Sequence, residues 1–438
     1  MADEQLLDKI HNLSDLELAA LLCLIAREHC LISTEPDSVD ELAEELRLVA
    51  STTFNLNSAV VSCHSHTTLD EFATGLLVQP AHTPPSPANT RSVSPYTLRH
   101  EPQASGGGPA SSTGSYFPIS PSPRIGGPMS SSSPAVGGTS SSQILQPRIA
   151  NVILAKDLDR APRAVQIQAL ELLRTRRIFT RTSVQTAPKQ FLFIALVGAA
   201  SGGQARVTPH LNDFFYLGHW HDPDEDGFPY LEEELGRQKD ERDDDAVSTT
   251  SSSSVVKLNL HSPPSTSTGL GLDSQWLTRN NSTRTSSSGG SSSSSSSISP
   301  RRNGDPPVFT EVDISRLSLL SQTTHTSVAV TRYQSNIAAF LRTHRAVAPG
   351  SVTPAATTQL ARLCRSLAPL HGLDYVTPSL VALAARKVYL HRVQVVDDPR
   401  KERSVQWGSD VGMVRGMLEG MGAEEVLEEV LGAVGVPG

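Results

Sequence analysis

The sequence predicts a wound α/β domain followed by a small, purely helical domain. Three observations carry that expectation. Short apolar runs of strand character at residues 30–32, 59–63, 151–155, 190–197 and 214–217 alternate with segments of helical period. From about residue 308 onward only helical patterning remains. Two stretches, 79–147 and 238–307, are dominated by Ser, Pro, Gly and Thr and carry too few large apolar residues to offset the entropy of ordering them. They are expected to be long disordered insertions between the pieces of one fold.

The elements follow in order. Leucines and isoleucines from Leu6 to Ile25 repeat at helical spacing, and Ser14 with Glu17 forms a capping box that splits them into two helices within residues 1–30. The strand at 30–32 begins the first part of the core, 31–78. Ser38 and Glu41 read as a second capping box opening a helix to about residue 50, 59–63 as a buried strand, and Thr68 with Glu71 as another helix start. The second part of the core, 148–237, opens with the strand at 151–155. Pro162 stands at a first helical position, and strands at 190–197 and 214–217 follow. In the helical part, 308–438, Thr353-Pro354 and Thr377-Pro378 each pair an N-cap with a proline, and Gly372 stops the helix between them.

Composition narrows the classes of function. Of the 438 residues, 38% are hydrophobic and 5% aromatic, so roughly two-thirds of the length is expected to fold. The net charge of −8 and the absence of dense Lys/Arg tracts with interleaved aromatics set nucleic acid aside. Cys23, Cys30, Cys63 and Cys364 have no CxxC spacing and read as reduced, buried thiols. The beginning has no basic leader, and the apolar run 18–26 is too short to cross a bilayer, so a soluble cytoplasmic protein is expected, with the nucleus open.

Two segments carry a family resemblance. Asn151-Val-Ile-Leu-Ala-Lys-Asp-Leu-Asp-Arg-Ala-Pro162 resembles the Walker B strand of MoxR and magnesium-chelatase AAA+ ATPases. Leu367-Ala-Pro-Leu-His-Gly-Leu-Asp-Tyr-Val-Thr-Pro378 with Val388-Tyr-Leu-His-Arg392 resembles their C-terminal lid. The resemblance implies a P-loop-NTPase-like AAA+ core followed by an all-α AAA lid. It also assigns catalytic positions, and each is altered. No Gly-Lys pair exists in the chain, and the P-loop slot reads Ser33, Thr34, Glu35, Pro36, Asp37 and Ser38. Asp37, Asp40 and Glu41 bring negative charge to the helix start where a phosphate would lie. The Walker B Asp and Glu are Lys156 and Asp157, the sensor-1 Asn falls at Gly198-Ala-Ala, the arginine finger is Phe214 and the sensor-2 Arg is Ala355.

The expected function is that of a degenerate AAA+ scaffold that binds a protein partner, either an intact AAA+ subunit or further copies of itself, with no cofactor. The alternative is a working magnesium-chelatase-like ATPase using ATP and Mg²⁺. Competing signals are weaker. Asp222-Pro-Asp-Glu-Asp-Gly227 with Glu233 fits the EF-hand pattern, but Pro223 and Pro229 stiffen it. His219 with His221, and Cys63 with His64 and His66, fall short of four ligands at closed spacing, so no metal is expected. Arg174, Arg176, Arg177 and Arg181 read as a solvated helix end. Ser-Pro pairs at Ser86, Ser94, Ser120, Ser122, Ser133, Ser262 and Ser299 are open to proline-directed kinases if 79–147 and 238–307 are disordered.

Overall fold

Ser14 accepts the N–H of Glu17 while the Glu17 carboxylate accepts the N–H of Ser14, and this reciprocal cap turns the chain from α1 (Glu4–His11) into α2 (Asp15–Ala26). The computed structural model describes residues 4–78, 147–181, 183–199, 207–244 and 307–437. Most of the two expected insertions, and every Ser-Pro pair, lie outside the described residues. After α2 come β1 (His29–Thr34), α3 (Val39–Thr52), β2 (Ser58–Ser62), α4 (Leu69–Gly75), β3 (Leu77–Val78) and β4 (Arg148–Ile149). Then follow β5 (Val152–Lys156), α5 (Arg163–Thr175), β6 (Arg177–Phe179), β7 (Val184–Thr186), β8 (Leu192–Gly198), α6 (Pro209–Asn212), β9 (Phe215–Trp220), α7 (Pro223–Asp226) and α8 (Pro229–Asp244). The helical part comprises α9 (Glu311–Thr323), α10 (Val328–Thr343), α11 (Pro354–Leu370), α12 (Pro378–Tyr389), α13 (Val411–Leu418) and α14 (Ala423–Ala433).

Five strands form one parallel sheet in the order β2-β5-β8-β1-β9. Parallel strands covered on both faces need continuous apolar runs, and β8, Leu-Phe-Ile-Ala-Leu-Val-Gly, is buried along its first six residues. β2 departs from the buried strand expected at 59–63. It is the sheet's edge, and Val60 is 37% exposed. β9 begins at Phe215 and runs on to Trp220, past the expected end at 217.

The apolar run at 18–26 has its reason in α2. Every residue from Leu16 to Ile25 is buried because α2 lies between the sheet on one side and α9 and α11 on the other. A helix apolar all round is a core helix when its length rules out a membrane. Among the described residues no helix is long and apolar enough to cross a bilayer.

In the helical part, Thr310, Ser327, Thr353 and Thr377 each accept the N–H of the residue three further on, as N-caps do. Gly372, at a φ of 69°, ends the turn after α11, and a Cβ there would come within 3.2 Å of Leu7 in α1. Two boundaries differ from the sequence reading. Pro162 is the residue before α5 rather than its first. The helical backbone of α8 reaches Asp244, beyond the expected start of the linker at 238.

Candidate functional site

β1, β5 and β8 end side by side, with Thr34 opposite Gly198 and Lys156 opposite Leu196. In wound parallel sheets this carboxyl edge is where ligands bind, so the residues gathered there define the candidate site. Ser33 and Thr34 are the last residues of β1. The Ser33 hydroxyl donates to the carbonyl of His219 at 3.4 Å, and Thr34 is fully buried, its hydroxyl without a hydrogen-bond partner among the described residues. Glu35 leads into a single 3₁₀ turn, Pro36–Ser38, and α3 starts at Val39.

Only residues 35–38 therefore separate strand from helix, where a P-loop spends eight residues wrapping a phosphate. The turn lies directly on the end of β8. A Cβ at Gly198 would stand 2.9 Å from the Pro36 Cα, and the Ala199 N–H donates to the Thr34 carbonyl at 2.9 Å. Ser38 does not form the expected capping box. Its backbone, φ −100° and ψ 5°, continues the 3₁₀ turn, and its side chain makes no cap hydrogen bond.

Lys156 ends β5 and forms an ion pair with Asp40 in the first turn of α3; the Lys side chain is 16% exposed and that of Asp40 79%. A cation and a carboxylate of the chain itself thus meet beside the helix start. Asp157 adopts the left-handed conformation at a φ of 51°, donates its N–H to Leu196 at 2.8 Å, and its carboxylate lies 3.4 Å from Arg160. Burial raises the Asp159 carboxyl above its usual value, with the Asp157 charge adding to it. Burial likewise pushes the Cys63 thiol up to about 12, reinforced by Asp157 and Asp159, so it stays protonated near neutral pH.

Phe214 and Ala355 are not brought to this edge. β9 runs parallel to β1, and its first residue, Phe215, stands opposite His29 at the amino edge of the sheet. Phe214, just before it, packs partly buried against the core beneath the sheet. Ala355 is exposed in the first turn of α11, whose cap residue Thr353 donates its hydroxyl to the Asp213 carboxylate at 2.5 Å. The length of β1, roughly 16 Å at about 3.3 Å per residue, separates Phe214 from the slot.

The acidic turn is locally satisfied, since Asp222 accepts the N–H of Asp224 at 3.0 Å and α7 leads into α8. His64 meets the Thr67 hydroxyl at 2.5 Å. Among the described residues no group of three or more His, Cys, Asp or Glu is arranged to hold a metal ion.

Two arrangements escaped the sequence reading. Arg392, buried at 2% exposure, donates to the carbonyls of Phe215, Val388 and Asp213 and to the Gln359 side chain, while the neighbouring His391 ring meets the Phe215 carbonyl at 3.1 Å. The Asn212 amide answers by donating to the His391 carbonyl at 2.8 Å. The signal was present, since His391-Arg392 closes the lid motif. The second is a cluster joining Asp15, His219, His221, Asp226 and Lys387, with Lys387 Nζ 3.1 Å from His219 Nδ1. Burial lowers Lys387 to about 7 against the pull of Asp15 and Asp226, and burial raises Asp15 to about 6 against Lys387. Burial also holds His219 and His221 below the usual histidine range. The sequence marks only His219 and His221, because Asp15, Asp226 and Lys387 come from α2, α7 and α12, which no local pattern links to β9.

Comparison with known proteins agrees with this architecture. Residues 339–409 match the model of the AAA lid domain family. The structure of a "putative ATPase" from Cytophaga hutchinsonii is similar over 99% of this chain and 96% of that one, with a TM-score of 0.52 and 12% sequence identity. No curated protein sequence matches the chain. The five-stranded parallel sheet with its helical lid is an AAA+ ATPase-like fold. An identity of 12% carries the fold and nothing finer.

Proposed function

We propose that this chain is a catalytically degenerate AAA+ protein of the MoxR/magnesium-chelatase type that acts by binding a protein partner and not by hydrolysing ATP. The observation that carries this reading is the closed slot: Pro36 lies on Gly198, and Lys156 pairs with Asp40 at the start of α3. A magnesium nucleotide does not fit these residues. The four-residue turn lacks the Gly-rich backbone cradle, carboxylates stand where phosphate oxygens need donors, and a lysine replaces the carboxylate that would meet the metal. Phe214 and Ala355 supply no guanidinium to compensate, for this slot or for a neighbour's.

Two measurements test the reading. The purified protein is expected to release no phosphate from ATP above background and to show no shift in melting temperature with Mg-ATP. A nucleotide bound at 100 times its dissociation constant would add about 2.7 kcal/mol of stability, a shift readily seen. Either turnover or such a shift would favour a working ATPase instead.

A further inference from the structure

Where α12 of the lid packs on β9 of the core, the seam holds a cluster of titratable side chains outside the nucleotide slot. Lys387, in the last turn of α12, sets its Nζ 3.1 Å from His219 Nδ1. Asp15 from the first turn of α2 and Asp226 from α7 lie close enough to favour the charged lysine. His221, just past the end of β9, has its Nδ1 3.5 Å from the Asp226 carboxylate. His219 and His221 are 4% and 1% exposed, yet His219 Nε2 and both ring nitrogens of His221 have no hydrogen-bond partner among the described residues. The His391 ring meets the Lys387 main chain and the Phe215 carbonyl beside them.

An apolar seam would close at lower cost. A lysine and two carboxylates taken out of water lose hydration that their mutual attraction returns only in part, and buried imidazole nitrogens left unpaired lose it outright. Separating α12 from β9 gives that hydration back, so the docking of the lid and the protonation of the cluster are linked. The cluster is also tied to the carboxyl edge of the sheet. His221 donates its N–H to the Ser33 carbonyl at 2.9 Å, and the Ser33 hydroxyl donates to the His219 carbonyl.

We propose that this cluster is a proton-operated latch between lid and core: with Lys387 neutral α12 stays seated on β9, and with Lys387 protonated the seam opens and hydrates the ammonium. Burial lowers Lys387 from 10.5 to about 7, against the pull of Asp15 and Asp226. Between those values the open form holds the extra proton, so docking strengthens as pH rises from about 7. Burial raises Asp15 to about 6, so above that value it is ionised in both forms and leaves the direction unchanged. Burial keeps His219 and His221 below the ordinary histidine value of 6.5; opening lets them take up protons too, in the same sense. The latch works whether or not the slot takes a nucleotide.

Hydrogen exchange of the full chain, corrected for the intrinsic pH dependence of amide exchange, tests the latch. Between about pH 7 and pH 8.5 the protection of the α12 amides is expected to rise roughly tenfold. Protection of α5, which contributes no residue to the cluster, should stay constant. Lys387→Met should remove the rise. Asp15→Asn takes away a charge that favours the protonated lysine, so it should keep the rise and move its onset to lower pH. Wild-type α12 protection that ignores pH, a rise that survives Lys387→Met, an onset unmoved by Asp15→Asn, or a parallel rise in α5 would each overturn the proposal.

Discussion

Lys156 illustrates how much a single position can decide. Its charge places a cation where the family resemblance implies a carboxylate, and its ion pair with Asp40 ties the end of β5 to the start of α3. The sequence offers several acids within reach; only the fold selects Asp40, because the short turn after β1 brings the first turn of α3 over β5. Since Asp40 is largely exposed, Lys156→Ala is expected to cost under about 1 kcal/mol, as solvated ion pairs do, and urea denaturation would check this. Changing Lys156 to Asp and Asp157 to Glu together should leave ATP turnover at background, because the cradle and the sensor residues remain absent; phosphate release is the readout. Gly198 is the more sensitive residue. Alanine there meets the Pro36 backbone at 2.9 Å, so Gly198→Ala should destabilise the chain by about 1–3 kcal/mol through forced displacement of the turn. Sequence alone marks that glycine only as a missing asparagine.

Among the elements, α12 and the residues that follow it connect the lid to the sheet. Arg392 reaches across to three main-chain carbonyls and the Gln359 side chain, so Arg392→Ala would strand buried acceptors and is expected to cost about 2–4 kcal/mol. Unfolding followed by both lid and core probes should then lose its coincidence. In the last turn of α12, against His219 of β9, Lys387 sheds its proton near pH 7 in the folded chain but near 10.5 when unfolded. The unfolded state binds more protons in that window, so this group makes stability rise with pH from about 7 toward 10.5. Asp15 acts oppositely between 3.8 and about 6, where the folded state holds the extra proton and stability falls as pH rises. The combined contribution is thus smallest between about pH 6 and 7. Lys387→Met should flatten the alkaline arm of the stability profile, and an unchanged slope would exclude the assignment. Caps at Ser14, Thr68, Thr353 and Thr377 were legible because they are local. The one at Ser38 failed because a neighbouring strand end, invisible in the sequence, presses the preceding residues into a 3₁₀ turn.

For the whole molecule, strand–helix alternation and the helical end gave the architecture, since apolar period reports burial wherever an element lies wholly inside. β2 was misjudged for the complementary reason: an edge strand and a central one of five residues carry similar runs, and only the strand order separates them. The same order sets Phe214 at the amino edge, away from the slot, a separation that no local pattern reveals. That order also has a consequence for biosynthesis. β1 is translated early, yet its partner across the ladder from Cys30 is Ile194, 164 residues later (194 − 30), and β9 follows later still. At about 5–20 residues per second on the ribosome, the first strand waits roughly 8–33 s for β8, and the largely apolar α2 waits longer still for α9 and α11. The nascent chain therefore exposes this apolar segment until its later partners emerge, and a holding chaperone at the exit tunnel would find its substrate in residues 15–34.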